Sequence, residues 1–132
     1  MKMLFDTNVL ISAFISFKKS SICYEIIGHA IEEHELYYIT FIIGEFKRVF
    51  KEDFHYPESV IGEFAKFITR FFTKGNTADT VEEISRDSKD DQVLADAVTN
   101  DIDIIVTGDK DLLELQNYRG IKIILPRDYW KL

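Results

Sequence analysis

The chain has 132 residues, of which 46% are hydrophobic, and a formal net charge of −7. That predicts one domain, residues 1–132, with a real core, and excludes a disordered chain. No apolar run approaches the roughly 18 residues of a membrane span, and no signal-peptide pattern precedes Asp6. The acidic balance argues against a simple, sequence-independent nucleic-acid binder. It leaves a metal nuclease open, because bound cations neutralise an acidic site and net charge says little about local patches. A basic partner is equally compatible with it. Cys23 is the one cysteine, so no internal disulfide forms and a reducing cytoplasm is the expected home. Its place in an apolar helical pattern reads as a small buried residue rather than a nucleophile.

In chain order, Lys2–Phe5 reads as a short buried strand. Asp6-Thr7-Asn8 offers helix-capping side chains, and Val9, Leu10, Ile11 and Phe14 continue at helical spacing. Lys18-Lys19-Ser20-Ser21 reads as a polar break. A second helix follows over about Ser21–Glu33, with Ile22, Ile26, Ile27, Ala30 and Ile31 on one face. Tyr37–Thr40 is strand-like, with Thr40 as a cap for a third helix carrying Ile42, Ile43, Phe46, Val49 and Phe50. Pro57 suits the first turn of a fourth helix, whose Val60, Ile61, Phe64, Phe67, Ile68, Phe71 and Phe72 form a wide apolar stripe. Gly75-Asn76 ends it. Thr80–Ile84 reads as a short strand and Ser85–Asp91 as a charged loop. Val93, Leu94, Ala97 and Val98 begin a fifth helix. Asp103–Thr107 is a strand, Asp111–Leu115 a short helix, and Ile121–Leu125 a last strand closed by Pro126. Strands alternating with helices imply an α/β fold with a mainly parallel sheet.

Four acids fall where the chain turns out of buried segments: Asp6, Glu45, Asp91 and Asp109. In open α/β sheets ligands bind beyond the carboxyl ends of the strands. Asp6 and Asp109 follow two such ends, Glu45 lies one turn into the helix after Tyr37–Thr40, and Asp91 begins a helix. Taken singly, each has a plain structural reading as a cap, a turn former or a solvated helix residue. Together they predict an oxygen-only site, which favours Mg²⁺ or Mn²⁺ over zinc and suits phosphodiester chemistry.

The segments MLFDTNVLIS, ITFIIGEF, KDDQVLADA and IIVTGDKDLL, in that order along nearly the whole chain, resemble PIN-domain proteins, close to ribonuclease toxins of the VapC type. The resemblance implies a three-layer α/β/α PIN-like fold and a metal-dependent endoribonuclease. By that pattern Asp6, Glu45 and Asp91 are metal ligands and Asp109 is the fourth acid. Asp91 is preferred to Asp90 for its spacing to Leu94 and Ala95. Asp111 assists Asp109 or binds a second ion, and Asn8 and Thr107 are supporting polar groups. The resemblance also implies Mg²⁺ or Mn²⁺ as cofactor, single-stranded RNA as substrate, a 5′-phosphate product, a small antitoxin protein as partner and a homodimer.

Other features are weaker. His29 and Glu33, four apart and next to His34, read as a solvated helix face before a metal site. Lys18-Lys19 and Lys47-Arg48-Lys51 are the best basic groups for an RNA backbone, with ordinary solvation as good an account. The phenylalanine stripe is mostly core, wide enough to leave a partner or dimer surface. Two other classes compete with the nuclease. One is a non-catalytic PIN-like scaffold that holds protein or RNA; the intact acidic set argues against it. The other is an aspartyl phosphatase, disfavoured because Asn8 stands two residues after Asp6.

Overall fold

The computed structural model describes residues 1–15 and 21–132; Lys18, Lys19 and Ser20 of the expected polar break lie outside the described residues. The chain runs β1 (Lys2–Phe5), α1 (Thr7–Ile15), α2 (Ile22–Glu33), β2 (Glu35–Tyr38), α3 (Thr40–Glu52), α4 (Glu58–Phe71) and β3 (Thr73–Lys74). It continues through α5 (Ser88–Thr99), β4 (Ile104–Val106), α6 (Lys110–Leu115), β5 (Asn117–Tyr118), β6 (Ile121–Ile124) and a terminal 3₁₀ turn, Pro126–Lys131.

The sheet has the order β3-β2-β1-β4-β6-β5. Every pairing is parallel except the β5–β6 hairpin. Met3, Leu4 and Phe5 of β1 and Ile104, Ile105 and Val106 of β4 are all buried. Continuous burial, rather than alternation, is what a central parallel strand shows when helices cover both faces. Strand connections from β1 to β2 to β3 step one way across the sheet, and those from β3 to β4 to β6 step back. Right-handed crossovers therefore place α1–α4 on one face and α5 and α6 on the other, giving three α/β/α layers. The reversal falls between β1 and β4. That is the switch point at which open α/β sheets leave a crevice at the strands' carboxyl ends.

Several elements differ from the sequence expectation. Thr80–Ile84 forms no strand. After the two-residue edge strand β3 the Gly75 amide still reaches the Tyr38 carbonyl of β2. Beyond it the chain runs irregularly, and the amides of Asn76, Ala78 and Ile84 bond to side chains of α5 and its C-cap Asn100. Thr40 is already helical, and the α3 cap is Ile39, which makes no side-chain cap bond. β3, β5 and the 3₁₀ turn carry no periodicity that a sequence pattern could register. The α4 stripe splits as expected of an over-wide face: Ile61, Phe64, Ile68 and Phe72 are buried, while Phe67 and Phe71 are exposed. His29 does not face a metal group among the described residues. Its Nδ1 meets the Tyr129 hydroxyl and its ring packs edge-on against Trp130, so α2 uses it to seat the 3₁₀ turn. Cys23 is buried.

Candidate metal centre

The site begins at the β1–β4 pair. Phe5 stands opposite Val106 in register, so the next residues out of the sheet, Asp6 and Thr107, leave side by side. The Asp6 amide donates to the Val106 carbonyl (2.9 Å), and the Thr107 amide donates to the Ile124 carbonyl (2.9 Å). With both main chains fixed, the Thr107 hydroxyl donates to Asp6 Oδ2 at 2.7 Å and the Thr7 amide to Asp6 Oδ1 at 2.8 Å. Asp6 is a buried carboxylate with both oxygens held. Burial pushes its pKa up, the Thr107 and Thr7 bonds pull it down, and the Asp109 charge adds a smaller upward push.

The Thr107-Gly108-Asp109 turn is tied to the same junction. The Gly108 amide donates to Asn8 Oδ1 (3.1 Å), and the Asp109 amide donates to Thr107 Oγ1 (3.0 Å). Asp109 caps α6 by accepting from the Asp111 amide (2.8 Å). Thr107 thus sits between Asp6 and Asp109 and fixes both, and Asn8 holds the turn that delivers Asp109.

The first turn of α5 completes the group. One oxygen each of Asp90, Asp109 and Asp111 lie within 4.8 Å of one another, the one such cluster of His, Cys, Asp or Glu found among the described residues. Asp90 is buried, and its pKa is pushed up to about 7, chiefly by burial and then by the facing Asp109 charge. The donor set fits a hard divalent cation: three carboxylates from two helices, oxygen only, with a fourth acid beside them. The raised pKa of Asp90 comes first from burial and then from the like charge of Asp109, and a cation would relieve both.

The structure places Asp90 in this group and not Asp91. Asp91 Oδ1 instead accepts from the amides of Ile84 (3.0 Å) and Ser85 (2.7 Å). Neighbouring residues on a helix point about 100° apart, so only one of the pair can face the crevice. The preference for Asp91 rested on spacing to apolar residues, which orients the helix too coarsely to separate adjacent positions. Glu45 also stands outside the tight group. Its Oε2 pairs with Arg48 (3.0 Å) and Lys89 (3.6 Å), and the Arg48 hydrogen bond holds its carboxyl below the ordinary range. Lys89 immediately precedes Asp90, so Glu45 borders the centre through that cation. Of the other expected basic groups, Lys51 pairs with Glu58.

Sequence reading missed a second polar set on α5. Gln92, Asp96 and Asn100 recur every four residues and so share a face. Asp96 Oδ1 accepts from the Ala78 amide and from Gln92, and the Asn100 side chain exchanges two bonds with the Asn76 backbone. A Cβ on Gly75 would lie 3.0–3.2 Å from the Asn100 side chain, so glycine allows this close approach. The signal in the sequence was the four-residue spacing of Gln92, Asp96 and Asn100, the last being the C-cap of α5, on a face interleaved with the apolar Val93, Leu94 and Ala97.

No curated protein sequence matches the chain. A family model described as PIN domain matches residues 2–111, a span that includes β1, β4, the first turn of α5 and every acid named above. PIN domains are generally nucleases. The switch-point crevice and its carboxylates are what such a fold displays, and with the match over most of its length the chain belongs to the PIN-domain family.

Proposed function

We propose that this chain is a single nuclease domain over residues 1–132: a metal-dependent endoribonuclease that cleaves single-stranded RNA and acts as the toxin of a toxin–antitoxin pair. The carboxylates of Asp90, Asp109 and Asp111 within 4.8 Å of one another, beside buried Asp6 at the switch point, carry the reading. Asp6, Asp90 and Asp109 are the proposed ligands, with Asp111 as an auxiliary. Glu45 is proposed to join them from the rim, and Asp91 is given a different role below. Bound Mg²⁺ or Mn²⁺ would supply Lewis-acid stabilisation of phosphoryl oxygens and an activated water.

The chain's own groups do the rest. Thr107 and the Thr7 amide hold Asp6 in one orientation. Asn8 fixes the turn bearing Asp109. Asp90, with its raised pKa, can carry a proton near neutral pH when the centre holds no cation. Arg48 and Lys89 surround Glu45 and can exchange that carboxylate for an RNA phosphate, since both cations are largely exposed and pairs at a solvated surface are weak. Water attack breaks the P–O3′ bond, leaving a 3′-hydroxyl and a 5′-phosphate. The proposed antitoxin and a second copy of the chain are protein partners for which exposed Phe67 and Phe71 on α4 offer apolar surface. Among the described residues no helix is long and apolar enough to cross a membrane, and a cytoplasmic location is proposed with the RNA substrate.

The test is cleavage of single-stranded RNA by the purified protein with Mn²⁺. Asp6→Asn is expected to lower the rate by about a hundredfold or more while leaving the circular dichroism spectrum unchanged. Equal cleavage by the variant at equal metal refutes the site.

A further inference from the structure

Resting on the metal-centre reading, we infer that Asp91 is a positioning residue and not a ligand: it anchors the segment before α5 so that Ser85 orients Asp90 toward the centre. At the end of that segment the Ile84 amide, at 3.0 Å, and the Ser85 amide, at 2.7 Å, both end on one oxygen, Asp91 Oδ1. Asp91 is buried, so these two bonds replace water on that oxygen and tie Ile84 and Ser85 to the first turn of α5 at one point. The anchored residue then acts on the neighbouring acid. Ser85 Oγ accepts from the Asp87 amide at 3.4 Å and lies 3.2 Å from Asp90 Oδ2. With one lone pair of the hydroxyl taken by Asp87, its proton is directed at Asp90. Asp87 in turn caps α5 by accepting from the Lys89 amide. The chain of contact therefore runs Asp91, Ser85 backbone, Ser85 hydroxyl, Asp90 carboxylate. Two adjacent aspartates do different work on the same turn. One meets the cation. The other selects which oxygen of its neighbour is left to do so.

The geometry supplies a discriminating variant. Because both amides bond to Oδ1 alone, Asp91→Asn keeps the acceptor and both bonds, whereas a ligand loses its charge on the same change. The experiment is calorimetric titration of Mn²⁺ into the wild-type protein, Asp90→Asn, Asp91→Asn, Asp91→Ala and Ser85→Ala, with amide hydrogen exchange at Ile84 and Ser85 read in parallel. Asp90→Asn is expected to weaken Mn²⁺ binding about a hundredfold, Ser85→Ala about tenfold, and Asp91→Asn less than about threefold, on the scale set by groups that orient metal ligands. Exchange protection at Ile84 and Ser85 should survive in Asp91→Asn and fall in Asp91→Ala. If Asp91→Asn loses Mn²⁺ as fully as Asp90→Asn, Asp91 is a ligand and the inference is overturned with the metal centre intact. If Ser85→Ala binds as well as wild type, the orienting step is overturned. A wild-type protein that takes up no Mn²⁺ removes the metal centre itself, and the inference with it.

Discussion

The two sides of the first turn of α5 use the same side chain to opposite ends. On one side Asp90 faces Asp109 and Asp111, with Ser85 on its Oδ2, and its pKa stands near 7. On the other side Asp91 faces the backbone amides of Ile84 and Ser85. Both are buried. A carboxylate among carboxylates is destabilised by burial and can be relieved by a cation. A carboxylate among amides is already satisfied and fixes a loop. Burial alone does not separate a functional acid from a structural one; the identity of the groups it faces does.

The largest test of this contrast is pH. The folded pKa of Asp90, about 7, exceeds the unfolded value near 3.9, so the metal-free folded state binds that proton more tightly than the unfolded chain. The resulting stability is fully present below about pH 4 and is lost as pH rises through 7. Asp6 is raised in the same direction. Discounted for solvent screening, metal-free protein should lose on the order of 1–2 kcal/mol between pH 5 and pH 8 in urea titrations. Asp90→Asn should flatten that slope. A slope equally steep in Asp90→Asn would show that the proton resides elsewhere.

A smaller effect is expected farther along α5. Asn100→Ala removes the paired bonds that hold Asn76 and should cost about 1–3 kcal/mol of stability. The substitution lies away from the acidic group, so Mn²⁺ affinity should be retained. A variant that loses metal in proportion to stability would mean the segment from 76 to 87 moves as one body with the centre. The contrast drawn on α5 would then be one of degree.

Most of this architecture was legible because it follows from pattern. The buried runs Met3–Phe5 and Ile104–Val106 are strands, the stripe from Ile61 to Phe72 is a helix face, and Asp6 and Asp109 leave adjacent strand ends as the parallel order requires. Thr107 donates to Asp6 Oδ2 and Asn8 accepts from the Gly108 amide, contacts that polar side chains beside the two strand ends are placed to make. What could not be read was decided by rotation and by partners. Choosing between Asp90 and Asp91 needs the helix phase to better than 100°, which apolar spacing does not provide. Thr80–Ile84 has strand-like composition, but it pairs with none of the described strands, and the Ile84 amide goes to the Asp91 side chain of α5 instead. Glu45 was placed by one helix turn, and long side chains such as Arg48 and Lys89 settle where its carboxylate rests.

The most direct test of the metal centre is a crystal grown with Mn²⁺ and measured for anomalous scattering. The account predicts a peak about 2.0–2.3 Å from carboxylate oxygens of Asp90 and Asp109, beside Asp6, with the Asp91 carboxylate still on the Ile84 and Ser85 amides. A peak on Asp91, or none at the β1–β4 switch point at millimolar Mn²⁺, would contradict it.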